Sequence, residues 1–135
     1  MTASVRVAGT AWDDLLRHAR EVAPEECCGL LLGHPGHVTQ AVRARNVAIE
    51  PRRRFQVDPS DHFAAIRQAR AAGLVVIGAY HSHPNGAPRP SETDRAEAFE
   101  DDSFIHVIVD PRRGEIAAYS LITGNFVALP LVRMA

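Results

Sequence analysis

The sequence predicts an α/β (α+β) chain: a mixed β-sheet flanked by helices, a single layer curling around one helix, in one domain over residues 1–135. Three observations lead there. A length of 135 residues suits one core and is short for two. Hydrophobic residues make up 46% and charged residues 23%, the balance of a globular chain. Apolar spacing switches between strand-like and helix-like along the chain, in the order β-α-β-β-α-β-α-β-β-β.

The elements follow in turn. Residues 4–7 read as a short strand. Thr10 is the expected N-cap of a helix over 11–22, where Trp12, Leu15, Leu16, Ala19 and Val22 recur at helical spacing and Pro24 closes the segment. Residues 28–32 form an apolar strand ending in a Gly33-His34-Pro35-Gly36 turn. A second strand over 38–49 returns from it, through a turn longer than the two-residue ideal. After a basic loop at 51–54, Asp58 as N-cap and Pro59 at the first helical position start a helix that runs to Ala72 and is capped by Gly73. The apolar start of the strand over 74–83 places it centrally in its sheet. A proline-rich loop at 84–90 leads to a short helix capped by Ser91 and running to about Phe99. Strands over 104–110, 115–121 and 126–131 complete the order.

Composition removes several function classes. All 15 basic residues are arginines, against 16 acidic ones, giving a net charge of −1. That balance argues against a nucleic-acid binder. With no lysine, the chain can form no Schiff base, no phosphate-loop lysine and no Ser–Lys pair. No apolar run approaches the ~20 residues that span a bilayer, and the first residues do not resemble a signal peptide. Cys27 and Cys28 are adjacent and cannot staple distant segments, so a reducing cytoplasm is the expected compartment.

The chemistry concentrates in Tyr80-His81-Ser82-His83-Pro84 and Ser91-Glu92-Thr93-Asp94. Side chains two apart on a strand share a face, so His81 and His83 point into one space and Ser82 points away. Asp94, in the first turn of the following helix, returns beside them. Two imidazoles and a carboxylate make a three-ligand set, the count of a catalytic rather than a structural zinc. Zinc acidifies a coordinated water, but a base must still accept its proton and pass it to the leaving group. Glu26, at the start of a buried strand, is the candidate base. The Ser91 hydroxyl is placed to donate to an oxyanion. Blander readings exist for each: a structural His-x-His, a helix-dipole role for Asp94 and a surface Glu26.

Glu26, His81-Ser82-His83-Pro84, Ser91 and Asp94 resemble the JAMM motif of the MPN-domain (Mov34/MPN/PAD-1) zinc metalloproteases: a glutamate, His-Ser/Thr-His-Pro, six residues, then Ser-x-x-Asp. Glu26 to Gly33 is similar to that family's Glu-x-x-Gly-Leu-Leu-x-Gly segment, which selects Glu26 over Glu25. The resemblance covers nearly the whole chain. It implies an MPN/JAMM-like fold with cytidine-deaminase-like layering. It further implies one Zn2+ per chain held by His81, His83 and Asp94, with Glu26 as general base and acid and Ser91 as oxyanion donor. The short chain resembles the compact prokaryotic type. Those members cleave an amide after the C-terminal Gly-Gly of a ubiquitin-like (ThiS/MoaD-type) sulfur carrier, maturing it or releasing cysteine from an adduct. Backbone pairing near the catalytic strand is the expected way to hold the tail.

Two other functions use the same residues: a non-catalytic MPN-type interaction scaffold, and a zinc hydrolase of small amides. Retention of all five motif residues disfavours the scaffold. A homodimer is compatible with the sequence; nucleic-acid and membrane partners are not expected. Cys27 and Cys28 read as buried small hydrophobes, Arg52-Arg53-Arg54 as a solvated loop or a contact for an acidic carrier, and His106 as a core histidine. His-x-Glu and Cys-x-x-Cys are missing, which excludes a zinc deaminase.

Overall fold

The computed structural model describes residues 4–97 and 103–135. The element order is β1 (Val5–Val7), α1 (Gly9–Val22), β2 (Cys28–His34), β3 (His37–Ala44), α2 (Pro59–Ala71), β4 (Val75–Ser82), α3 (Glu92–Glu97), β5 (Ile105–Asp110), β6 (Glu115–Ile122), β7 (Asn125–Leu129) and β8 (Leu131–Arg133). The strands form one sheet in the order β7-β6-β5-β4-β2-β3-β1-β8. β4–β5, β1–β3 and β1–β8 are parallel, and the remaining neighbours are antiparallel. The sheet is therefore mixed, as predicted, and β4 is central.

Helices cover both faces, so the sheet does not curl around a single helix. Alternation along β2 explains this directly. Leu31 joins the core under α1, with Leu15, Ala19, Val107 and Val109. Leu30 and Leu32 face the other way, into the core under α2 with Ala65 and Ala69. A strand buried on both faces needs no polar alternation, which is why its sequence is continuously apolar.

Several expected boundaries move. The N-cap of α1 is Ala8, without a side-chain cap, and Thr10 lies inside the first turn. The β2–β3 pairing extends to His34↔His37, leaving the two-residue turn Pro35-Gly36, with Gly36 at φ 77°. The hairpin is thus tighter than its sequence suggests. β3 ends at Ala44 instead of continuing to Ile49. The strand expected over 126–131 is split at Pro130 into β7 and β8, on opposite edges of the sheet. Proline cannot donate to a ladder, which accounts for the break. The end of α3 expected at Phe99 lies outside the described residues. Asp58 and Pro59 start α2 as read, and Gly73, at φ 72°, follows its C-cap Ala72.

Gly29 has a packing reason. A Cβ there would meet the Val42 carbonyl and the Tyr80 ring, 2.6 Å from Cζ. The glycine lets Tyr80 lie against β2 and reach α1, where its hydroxyl sits 2.7 Å from His18 Nδ1 in the buried core. Burial, helped by the Arg43 charge and opposed by Glu21, pushes His18 down to about 4. The unfolded chain binds that proton from about 6.5 downward, whereas the folded chain does not. Stability contributed by neutral His18 is therefore complete above about 6.5 and is lost as pH falls toward about 4. Melting temperatures across this window should fall in the wild type and fall less steeply in His18→Phe. Parallel curves for the two proteins would contradict the assignment.

Candidate active site

Three elements converge at the C-terminal end of β4. His81 and Ser82 close that strand and His83 follows it; the His83 backbone N–H donates to the Val109 carbonyl of β5 at 2.9 Å, which extends the sheet far enough to fix both imidazoles. Ser82 points to the α1 side and accepts from the Cys27 N–H at 2.8 Å. His81 and His83 share the opposite face, as the period of two requires.

Asp94 is returned by a reciprocal capping box. The Ser91 N–H donates to Asp94 Oδ2 at 2.9 Å, and the Asp94 N–H donates to Ser91 Oγ at 3.0 Å. The carboxylate then faces both rings. Separations are 3.2 Å from His81 Nε2 to His83 Nε2, 3.1 Å from His83 Nε2 to Asp94 Oδ2, and 3.2 Å from His81 Nε2 to Asp94 Oδ1. A tetrahedral ion with ligands at ~2.0–2.1 Å has ligand–ligand edges of about 3.3 Å. The His81–His83 edge is close to that length, and each imidazole lies 3.1–3.2 Å from one of the two Asp94 oxygens. Two imidazole lone pairs this close repel unless a proton or a cation lies between them. Among the described residues this is the group of His, Cys, Asp and Glu side chains able to hold a metal ion.

The three groups shift in different directions. Burial holds His81 below its ordinary value, only partly offset by Asp94. Burial also opposes charging of His83, but its bonds to Asp94 and to the Ala87 carbonyl, with the charges of Asp94 and Glu26, outweigh it and raise the group. Burial opposes ionisation of Asp94 as well, yet bonds from both histidines and the Ser91 N–H hold it well below the usual carboxylate range. The His83 Nδ1 donates to the Ala87 carbonyl at 2.9 Å, which turns its Nε2 lone pair inward.

Glu26 and Glu25 separate cleanly. Glu26 is 6% exposed, whereas Glu25 lies on the surface. The Glu26 N–H donates to the Pro51 carbonyl at 2.8 Å, and its carboxylate charge is felt at His83. Ser91 is exposed; its oxygen is used as an acceptor by the helix cap, so its O–H remains available to donate.

Two residues at the site were not found by sequence reasoning. Phe55 stacks on His81, with ring centroids 4.2 Å apart and planes at 16°. Asn46 bonds to the Glu26 carbonyl at 3.0 Å. Neither belongs to a periodic pattern. Phe55 also walls a groove of about 770 Å³, shared with Val57, Ile66, Val76, Ala79 and His106. His106 is half-buried between Phe104 and Phe126, on the groove and not in the core as expected. β4 offers no free edge at the site, because β2 pairs Cys28↔His81 and β5 pairs Ser82↔Val109. A tail held by backbone pairing near the catalytic strand would therefore pair with a segment other than β4.

Burial pushes Cys27 up to about 11 and Cys28 up to about 12, so both are protonated small hydrophobes, as read. Arg52, Arg53 and Arg54 are exposed. Among the described residues, no helix is long and apolar enough to cross a membrane.

Residues 10–122 match the family described as prokaryotic homologs of the JAB domain. The chain is 39% identical over 118 residues to the desampylase of Haloferax volcanii, covering 82% of this chain and 84% of that one. It is 29% identical over 126 residues to the CysO-cysteine peptidase of Mycobacterium tuberculosis, covering 87% and 82%. A crystal structure of a JAB1/MPN domain protein from Archaeoglobus fulgidus superposes with a TM-score of 0.63 at 24% identity, over 96% of this chain and 98% of that one.

Proposed function

The chain belongs to the family of prokaryotic homologs of the JAB domain, and from that premise we propose that it is a zinc-dependent peptidase that hydrolyses the amide after the C-terminal Gly-Gly of a ubiquitin-like sulfur carrier. The observation that carries the reading is the His81–His83–Asp94 triangle, in which both Nε2 atoms and the carboxylate gather closely enough to share one zinc ion. Bound there, zinc would supply a Lewis acid that polarises the scissile carbonyl and acidifies water.

The chain's own groups do the rest. Glu26, buried and with its charge felt at His83, would take a proton from the attacking water and return it to the leaving amine. The Ser91 O–H donates to the carbonyl oxygen as it gains charge. Asp94 both binds and caps α3, so the ligand and the oxyanion donor are fixed by one pair of hydrogen bonds. Phe55 covers one face of His81 and limits water to the open side.

The substrate assignment draws support from the relatives named desampylase and CysO-cysteine peptidase. The groove adds to it. Ala79 on its floor is two residues from His81, about 7 Å along an extended strand. An extended tail entering along the groove meets the triangle within a few residues, and glycines at its end avoid Cβ atoms against Phe55 and the metal ligands.

Mass spectrometry of carriers tests the reading. A ubiquitin-fold carrier bearing cysteine or extra residues after Gly-Gly should be cleaved after the second glycine. The same carrier with Ala-Ala should be cleaved far more slowly, and ubiquitin dimers poorly. Equal cleavage of the two carriers, or fast hydrolysis of ubiquitin dimers with none of the carrier, would overturn the substrate assignment.

A further inference from the structure

We propose that Asn46 is a positioning residue of this site: its side-chain amide sets the Glu26 backbone and the Phe55 ring against the two histidines. The inference rests on the reading of Glu26 as the proton carrier.

Asn46 follows β3 and makes an isolated bridge with Val57. Its Nδ2 donates to the Glu26 carbonyl and the Arg54 carbonyl, each at 3.0 Å, with the Pro51 carbonyl at 3.5 Å. Its Oδ1 accepts from the Ala48 and Gln56 N–H groups, each at 3.0 Å. One amide thus uses both donors and both lone pairs, a set that no other short side chain offers.

The partners explain the consequence. The bonds to Arg54 and Gln56 bracket Phe55 in the chain, and Phe55 lies on His81. The bond to the Glu26 carbonyl holds the catalytic glutamate from the other side, together with the Glu26 N–H to Pro51 carbonyl bond. Glu26 precedes β2 and has no ladder of its own at that point. Without Asn46 the loop at 47–56 loses its central tie, while the ligand triangle, built on β4 and α3, does not touch Asn46. The amide therefore bears first on the proton carrier, while the ligands themselves are held by β4 and α3.

Asn46→Asp keeps size and acceptors but loses both donors. Displacements of about 1 Å can cost up to ~10²-fold in rate. The variant should retain one zinc per chain and lower kcat by roughly 10- to 10²-fold, with KM within about threefold of wild type. In zinc-free protein, hydrogen exchange at the Glu26 amide should quicken at least ~10-fold while Leu31, in the core, is unchanged. Combined with Glu26→Gln, Asn46→Asp should cause no further loss, because it acts through the group already removed. If Asn46→Asp does not fold, Asn46→Ala carries the same comparisons.

Wild-type kcat in the variant, a multiplicative loss in the Glu26→Gln background, or an unchanged Glu26 exchange rate would overturn the proposal. Failure of the functional reading looks different: Glu26→Gln alone would then leave turnover intact, whatever Asn46 does to exchange.

Discussion

Glu26→Gln is expected to leave only a small residual turnover while leaving zinc in place. General acid–base catalysis is typically worth ~10²–10⁴-fold, and here one carboxylate serves both proton transfers, so the loss should reach at least that range. The variant preserves volume at a residue only 6% exposed, so the fold should tolerate it. Glu26 contributes no atom to the ligand triangle, so metal content should not fall. Glu25→Gln, on the surface, should change turnover little. Steady-state kinetics with parallel metal analysis separates the two. Activity surviving Glu26→Gln but lost in Glu25→Gln would contradict the assignment.

Asp94→Asn is expected to do the reverse and fail at the metal. The substitution removes the negative charge that both imidazoles face at 3.1–3.2 Å. It removes a direct ligand, so zinc affinity should fall by more than the ~10–100-fold that loss of an outer-shell partner costs. Turnover should vanish at any zinc concentration the protein tolerates. An amide can still accept from the Ser91 N–H, so the start of α3 and the melting temperature of the zinc-free protein should change little. Competition with a chromophoric chelator measures the affinity. Unchanged zinc affinity would remove Asp94 from the ligand set.

What was legible in the sequence was local or periodic. The period of two put His81 and His83 on one face, and their Nε2 atoms lie 3.2 Å apart. Ser91 was legible as the cap of a short helix with Asp94 in its first turn; the reciprocal bonds that aim Asp94 came with the structure. The choice of Glu26 over Glu25 followed from the register of the Glu-x-x-Gly-Leu-Leu-x-Gly segment, and burial divides the two in that way. Long-range features left no such trace. Phe55 and His81 meet across 26 residues of chain, reached through a loop with no periodicity. Asn46 works through backbone groups of residues 26, 48, 51, 54 and 56, whose convergence no local pattern encodes. β8 is three residues long and gains its identity from pairing with β1 at the other end of the sequence. His18 belongs to none of the motifs above, yet it is half of a buried pair with Tyr80.

The central claim is that His81, His83 and Asp94 hold one zinc ion. Elemental analysis of the protein purified without added metal tests it most directly. The arrangement predicts close to one zinc per chain, retained through dialysis and lost in Asp94→Asn. A stoichiometry near zero that added zinc cannot restore would contradict it.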